Sequence, residues 1–187
     1  DDLVVKNKKL IKLGFDSVQA SVDASLSKKR YMLALNQCQT GISFFSSLRS
    51  TKKLAKRAAE IEKSPGFAEE TDKDMHVRYQ EGELRKGYLD GFATMDTTWW
   101  KNEITNLDQE LANNKDLMSH QMLSRVKGFL GILCYTYTSG AIANNELDKA
   151  AKYVSIYQLV EPQNADCFFY KAVLLDKKNK TEATVAA

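Results

Sequence analysis

Residues 145–175 read NELDKAAKYVSIYQLVEPQNADCFFYKAVLL, and the spacing of apolar residues in this stretch decides the fold. They recur every third or fourth position, the period of a helix face, and show no strand-like alternation. Leu147, Ala150, Val154, Tyr157 and Val160 form one stripe, which stops at Pro162. Proline ends a helix because it lacks an N–H and its ring clashes with the preceding turn. A second helix is predicted from about Asn164, with Phe168, Ala172 and Leu175 on its packing face.

Working outward, the same steps fill the chain. Met118, Met122, Val126, Phe129, Leu133 and Tyr137 predict a core-facing helix that ends near Ser139-Gly140. Trp100, Ile104, Leu107 and Leu111 predict another, closed by Asn113-Asn114. Tyr88, Phe92, Met95 and Trp99 place a helix from the low seventies to about Trp99, unless Asp96-Thr97-Thr98 caps a new helix there. Gly82, Gly87 and Gly91 lie inside it. Each costs about 1 kcal/mol of helix propensity, which predicts close packing or a kink. The acidic stretch Glu69 to Asp74 is expected in its first turn, where carboxylates meet unpaired N–H groups.

Ser64-Pro65-Gly66 is read as the end of a helix over residues 51–63. That helix turns Leu54, Ala58 and Ile61 inward and Lys52, Lys53, Lys56 and Arg57 outward. Tyr31, Leu35, Cys38, Ile42, Phe45 and Leu48 mark a long core-facing helix before it, and Phe15, Val18, Val22 and Leu26 the first one. At the other end, Lys177 to Lys180 are read as a charged turn and Thr181 to Ala187 as the start of a further helix. The array is therefore expected to stop part-way through a helix pair. The fold class is all-α, with residues 1–187 as a single all-helical domain.

Residues 125–187 resemble a tetratricopeptide array, whose repeats are helix–turn–helix units of about 34 residues. The segment Asn145 to Ala150 looks like the start of a second helix, with Ala150 as the small crossing residue. Glu161-Pro162-Gln163-Asn164-Ala165-Asp166 is similar to the inter-repeat turn, and Phe168, Ala172 and Leu175 to the large, small and large positions of the next first helix. A small residue lets helices approach, and a large one fills the groove opposite. Lys171 and Tyr157 depart from the family pattern, as does the long connection from Ser139 to Asn145. The resemblance implies antiparallel helix pairs stacked as a right-handed α-α superhelix. It places Asp166, Phe169, Val173 and Asp176 on a concave, partner-facing stripe.

The 187 residues carry a net charge of +3 and are 43% hydrophobic, which suits a packed core and does not suggest a nucleic-acid partner. The charge is uneven. Residues 1–63 hold 13 basic against 6 acidic side chains, residues 64–124 hold 6 against 12, and residues 125–187 hold 8 against 6. The basic front and acidic middle are therefore suited to attract each other or different partners. The longest apolar run, Gly128 to Tyr137, is about half the roughly 20 residues of a membrane-spanning helix. Asp1-Asp2 followed by Lys6, Lys8, Lys9 and Lys12 would suit a tether behind a processed leader, and so export to the cell envelope with a lipid anchor. A trimmed boundary and a cytoplasmic protein fit as well.

Cys38, Cys134 and Cys167 fit no metal or redox spacing and are expected as buried free thiols, with one disulfide as the alternative in an exported protein. His76 and His120 sit in no metal-ligand pattern, and neither a phosphate loop nor a nucleophile elbow is present. No metal or cofactor is expected. Trp99 and Trp100 point about 100° apart on a helix, so one should pack inside while the other meets a junction or a binding surface. The expected function is a non-catalytic scaffold for a protein or peptide. The alternatives are an envelope small-molecule or glycan binder using Trp99/Trp100, and an enzyme with an unrecognised site near His76 or His120.

Overall fold

The helical period seen in the sequence is realised along the chain. The structure, a computed structural model, describes the backbone of residues 2–185 and the side chains of residues 4–179. The described residues form α1 (Asp2–Ser27), α2 (Tyr31–Phe45), α3 (Lys52–Glu62), α4 (Pro65–Thr94), α5 (Thr97–Asn113), α6 (Leu117–Ala143), α7 (Leu147–Val160) and α8 (Ala165–Val185). Among them there is no strand, so the chain is all-α. Packing divides the chain into two units that meet between His76 and Val77, inside α4 and away from the charge boundaries at 63/64 and 124/125.

In the first unit α2 packs against both α1 and α3. Phe15, Val22, Ala34, Cys38, Phe45, Leu54, Ala58 and Ile61 form its core, drawn from the predicted stripes. Gly41 is what lets three helices meet. A β-carbon there would lie 2.8 Å from Val18 Cγ1 and 2.9 Å from Leu54 Cδ1. Two local expectations are corrected. The first helix begins at Asp2, well before the stripe from Phe15, and Val4, Val5, Leu10 and Leu13 on its early turns are exposed. Periodicity gives no clue to turns that bury nothing. α4 begins at Pro65 rather than in the low seventies. Ser64 Oγ accepts from the Phe67 N–H at 3.2 Å, and proline at the first helical position forfeits no hydrogen bond. Glu69 to Asp74 therefore lie beyond the first turn. From there Glu70 accepts from the Met32 N–H at 2.7 Å and caps α2 instead of its own helix.

In the second unit α5 packs on α6 and α7, α6 on α7 and α8, and α7 on α8. Capping residues set the breaks. Asp96 Oδ1 accepts from the Thr98 and Trp99 N–H groups at 2.9 and 3.2 Å, so α4 stops at Thr94 and α5 starts afresh, the capping alternative. Asp116 accepts from the Ser119 N–H at 3.0 Å to start α6. Asn164 Oδ1 accepts from the Asp166 N–H at 2.9 Å, while its amide donates to Tyr157 Oη at 3.0 Å and to the Glu161 carboxylate. This amide ties the turn after Pro162 to both α7 and α8.

Other boundaries move. α6 runs to Ala143 instead of ending near Ser139-Gly140, leaving a short connection, Asn144 to Glu146. Asn145 turns the chain there at φ 59°, a left-handed conformation that asparagine tolerates. Lys177 to Lys180 are not a turn, because α8 continues through them to Val185. Lys is a good helix former, and a charged run is as easily a solvated helix face as a loop. The predicted further helix therefore merges into α8, and Ala186 and Ala187 lie outside the described residues.

The core of this unit gathers around Trp100, Ile104, Leu107, Val126, Leu130, Cys134, Ala150, Val154, Ile156 and Val160. The predicted α7 stripe is correct, with Leu147 half-buried at its edge. On α8 the predicted packing face is wrong. Phe168 and Leu175 are 57% and 64% exposed, and Ala172 is exposed as well, while Cys167, Tyr170 and Leu174 are buried. The run CFFYKAVLL is apolar nearly all round, so its period leaves the buried edge undecided, and contact with α6 and α7 selects it. On α6, Leu130 and Cys134 are buried where Phe129 and Leu133 were expected to be innermost, and Tyr137 is 36% exposed.

Candidate functional site

The feature most like a binding site lies within the second unit, where α4, α5 and the start of α6 enclose a cleft of about 640 Å³. Tyr79, Tyr88 and Trp99 supply aromatic wall, and Glu83, Glu103 and Glu110 supply carboxylates. Helical spacing brings them together. Tyr79, Glu83 and Gly87 step along one face of α4, while Trp99, Glu103 and Glu110 do so on α5. Leu84, Met122 and Leu123 form the apolar remainder. A β-carbon on Gly87 would meet nothing within 4 Å, so this glycine leaves space open along the cleft.

Trp100 anchors the cleft from behind. It is fully buried, its indole N–H donates to the Gly91 carbonyl at 3.3 Å, and it stacks on Tyr88 at a ring separation of 5.7 Å. Trp99 stands on edge against it at 5.0 Å and lies over Gly91, where a β-carbon would come within 2.3 Å of the Trp99 ring. Trp99 is half-buried and also borders a second cleft of about 350 Å³ beside Asp90 and Asp96.

The electrostatics here are one-sided. Burial pushes the Tyr88 phenol up to about 12, and the carboxylates of Glu103, Glu110 and Asp108 add to the push. Glu83, Glu103 and Glu110 form no ion pair among the described residues. Glu81, two residues before Glu83 in α4, contrasts with them: it pairs with Arg85 at 2.6 Å and with Arg125 at 2.5 Å. The hydrogen bond from Arg125 is the main reason its carboxyl lies below the usual range.

The structure separates the sequence-predicted site residues. Trp99 reaches the cleft, and Trp100 is core. Phe169 is 61% exposed on α8, Asp176 is exposed, Asp166 is half-buried, and Val173 packs against the core. None of these four lines the cleft. Tyr135 extends the Phe169 surface: its ring lies 5.9 Å from Tyr170, which lies 5.4 Å from Phe169. Ile132, also on α6, is 67% exposed. His76 and His120 are exposed, and neither lines the cleft. No group of three or more potential metal ligands occurs among the described residues. All three cysteines are buried free thiols, pushed up chiefly by burial. No helix among the described residues is long and apolar enough to cross a membrane.

Sequence reasoning missed Tyr79, Glu83, Glu103 and Glu110. Glu81 and Glu83 are alike in sequence, two residues apart in α4, and only tertiary packing distinguishes them, by setting Glu81 against Arg125 and Glu83 on the cleft. No family model, curated protein or solved structure matches this chain.

Proposed function

We propose that the protein is a non-catalytic interaction scaffold of tetratricopeptide-like type that binds a protein or an extended peptide. The observation that carries this reading is the apolar surface on α6 and α8 of the second unit. Ile132, Tyr135, Phe168, Phe169 and Leu175 are between 47% and 67% exposed, although the core beneath them is complete. Soluble proteins seldom leave several large aromatic and aliphatic side chains uncovered on two neighbouring helices unless something binds there. In the second unit α5 packs on α6, α6 on α7 and α7 on α8, with α5 also on α7 and α6 also on α8, which supports a stacked helix-pair reading for α5–α8. Asp166 and Asp176 on α8 favour a peptide with apolar side chains and a basic or polar end.

The test is selection from a displayed peptide library, followed by titration of the enriched peptides. Replacing Ile132 and Phe169 together by Ser is expected to weaken binding at least tenfold, the scale of losing one or two interface anchors. Both residues are exposed, so the double variant keeps the core. If no peptide is enriched, or the double variant binds as well as the parent, the reading fails. A second reading, a small-molecule or glycan binder built on Trp99/Trp100, draws support from the position of Trp99 at the cleft. It then rests on Trp99 alone, because Trp100 is buried.

A further inference from the structure

The cleft between α4, α5 and α6 carries an inference independent of the α6–α8 surface. Glu103 and Glu110 lie two turns apart on one face of α5, about 10 Å along the axis. Glu83 faces the same space from α4. None of the three takes an ion-pair partner among the described residues, although the neighbouring Glu81 takes two arginines. Glu83 and Glu110 are exposed at the rim and Glu103 is half-buried; like charges gathered along one cleft repel one another, and that cost falls when a cation enters. The walls suit an organic cation better than a metal ion. Indole and phenol faces attract ammonium groups, and Leu84 and Met122 offer an apolar surface for a methylene chain. The volume of about 640 Å³ lies within the range of small-molecule sites.

We propose that this cleft binds an elongated aliphatic polyamine, with one ammonium between Trp99 and Glu103, a second at Glu110, and the methylene chain along Leu84 and Met122. Binding is charge-selective: a neutral chain of the same length loses the carboxylate contacts, and an anion is repelled.

The experiment is calorimetric titration of the full chain with spermidine at low salt, with octanediol as the neutral control and tryptophan fluorescence as a second readout. Saturable binding is expected, with a change in tryptophan emission and no response to octanediol. Glu103→Gln and Glu110→Gln are each expected to weaken binding at least about fivefold, since each removes a facing charge. Gly87→Met should block the cleft; its β-carbon meets no neighbour within 4 Å, and an unchanged unfolding midpoint would show that the fold is kept. Ile132→Ser with Phe169→Ser should leave spermidine binding unchanged, which separates this site from the proposed peptide surface. Absence of saturable binding, equal binding of octanediol, or full binding by the Glu103→Gln/Glu110→Gln double variant would each overturn the proposal.

Discussion

Gly82 and Gly91 carry the same propensity penalty in α4 but meet different surroundings. A β-carbon at Gly82 would meet nothing within 4 Å, whereas at Gly91 it would fall 2.3 Å from the Trp99 ring. Gly82→Ala is therefore expected to stabilise the protein by about 0.5–1 kcal/mol, from helix propensity alone. Gly91→Ala is expected to destabilise it by about 1–3 kcal/mol, because Trp99 is wedged between this position and Trp100. Urea midpoints of the two variants should thus move in opposite directions. Three glycines in one helical pattern signal that something approaches closely or that the helix is weakened. Only the packed partner reveals that Gly91 does the first, while Gly87 leaves room in the cleft.

Among helix–helix contacts, Glu81 ties α4 to α6 through Arg125 and stays within α4 through Arg85. Its carboxyl titrates below its ordinary value of 4.5. The unfolded chain therefore takes up that proton before the folded one does. The contribution is fully present above about pH 4.5 and is lost as pH falls through the lower folded value. Glu81→Gln is expected to cost about 1 kcal/mol near neutral pH, discounted because both arginines are partly exposed, and progressively less on acidification. Equilibrium unfolding at neutral pH and near pH 3 would check this; an equal cost at both would contradict it. At this scale the sequence was partly legible. Capping residues were visible at Asp96, but Ser64-Pro65 served equally well as a stop or a start. Proline is compatible with both until the next residues show where their hydrogen bonds go.

For the whole molecule, two cores with no shared residue divide the burial. Leu54 is 1% exposed and belongs to the first. Leu54→Ala should cost about 2–5 kcal/mol, and that loss should appear in α1–α3. Hydrogen exchange is expected to show faster amide exchange there, with α5–α8 protected as in the parent. Uniform loss of protection through both cores would show that they unfold as one. The division is invisible in the charge blocks because packing units follow burial rather than charge.

The sequence by itself determined that the chain is helical, that Leu54, Ala58, Ile61, Ala150, Val154 and Val160 face inward, and that one of Trp99 and Trp100 would be core. These follow from a period that any buried helix must obey. Tertiary structure alone decided which edge of α8 is covered, which carboxylates find arginines, and which open onto a cleft. A near-continuous apolar run or a run of acids is compatible with several helix rotations. The choice among them is made by neighbours distant in sequence, whose positions no local period encodes.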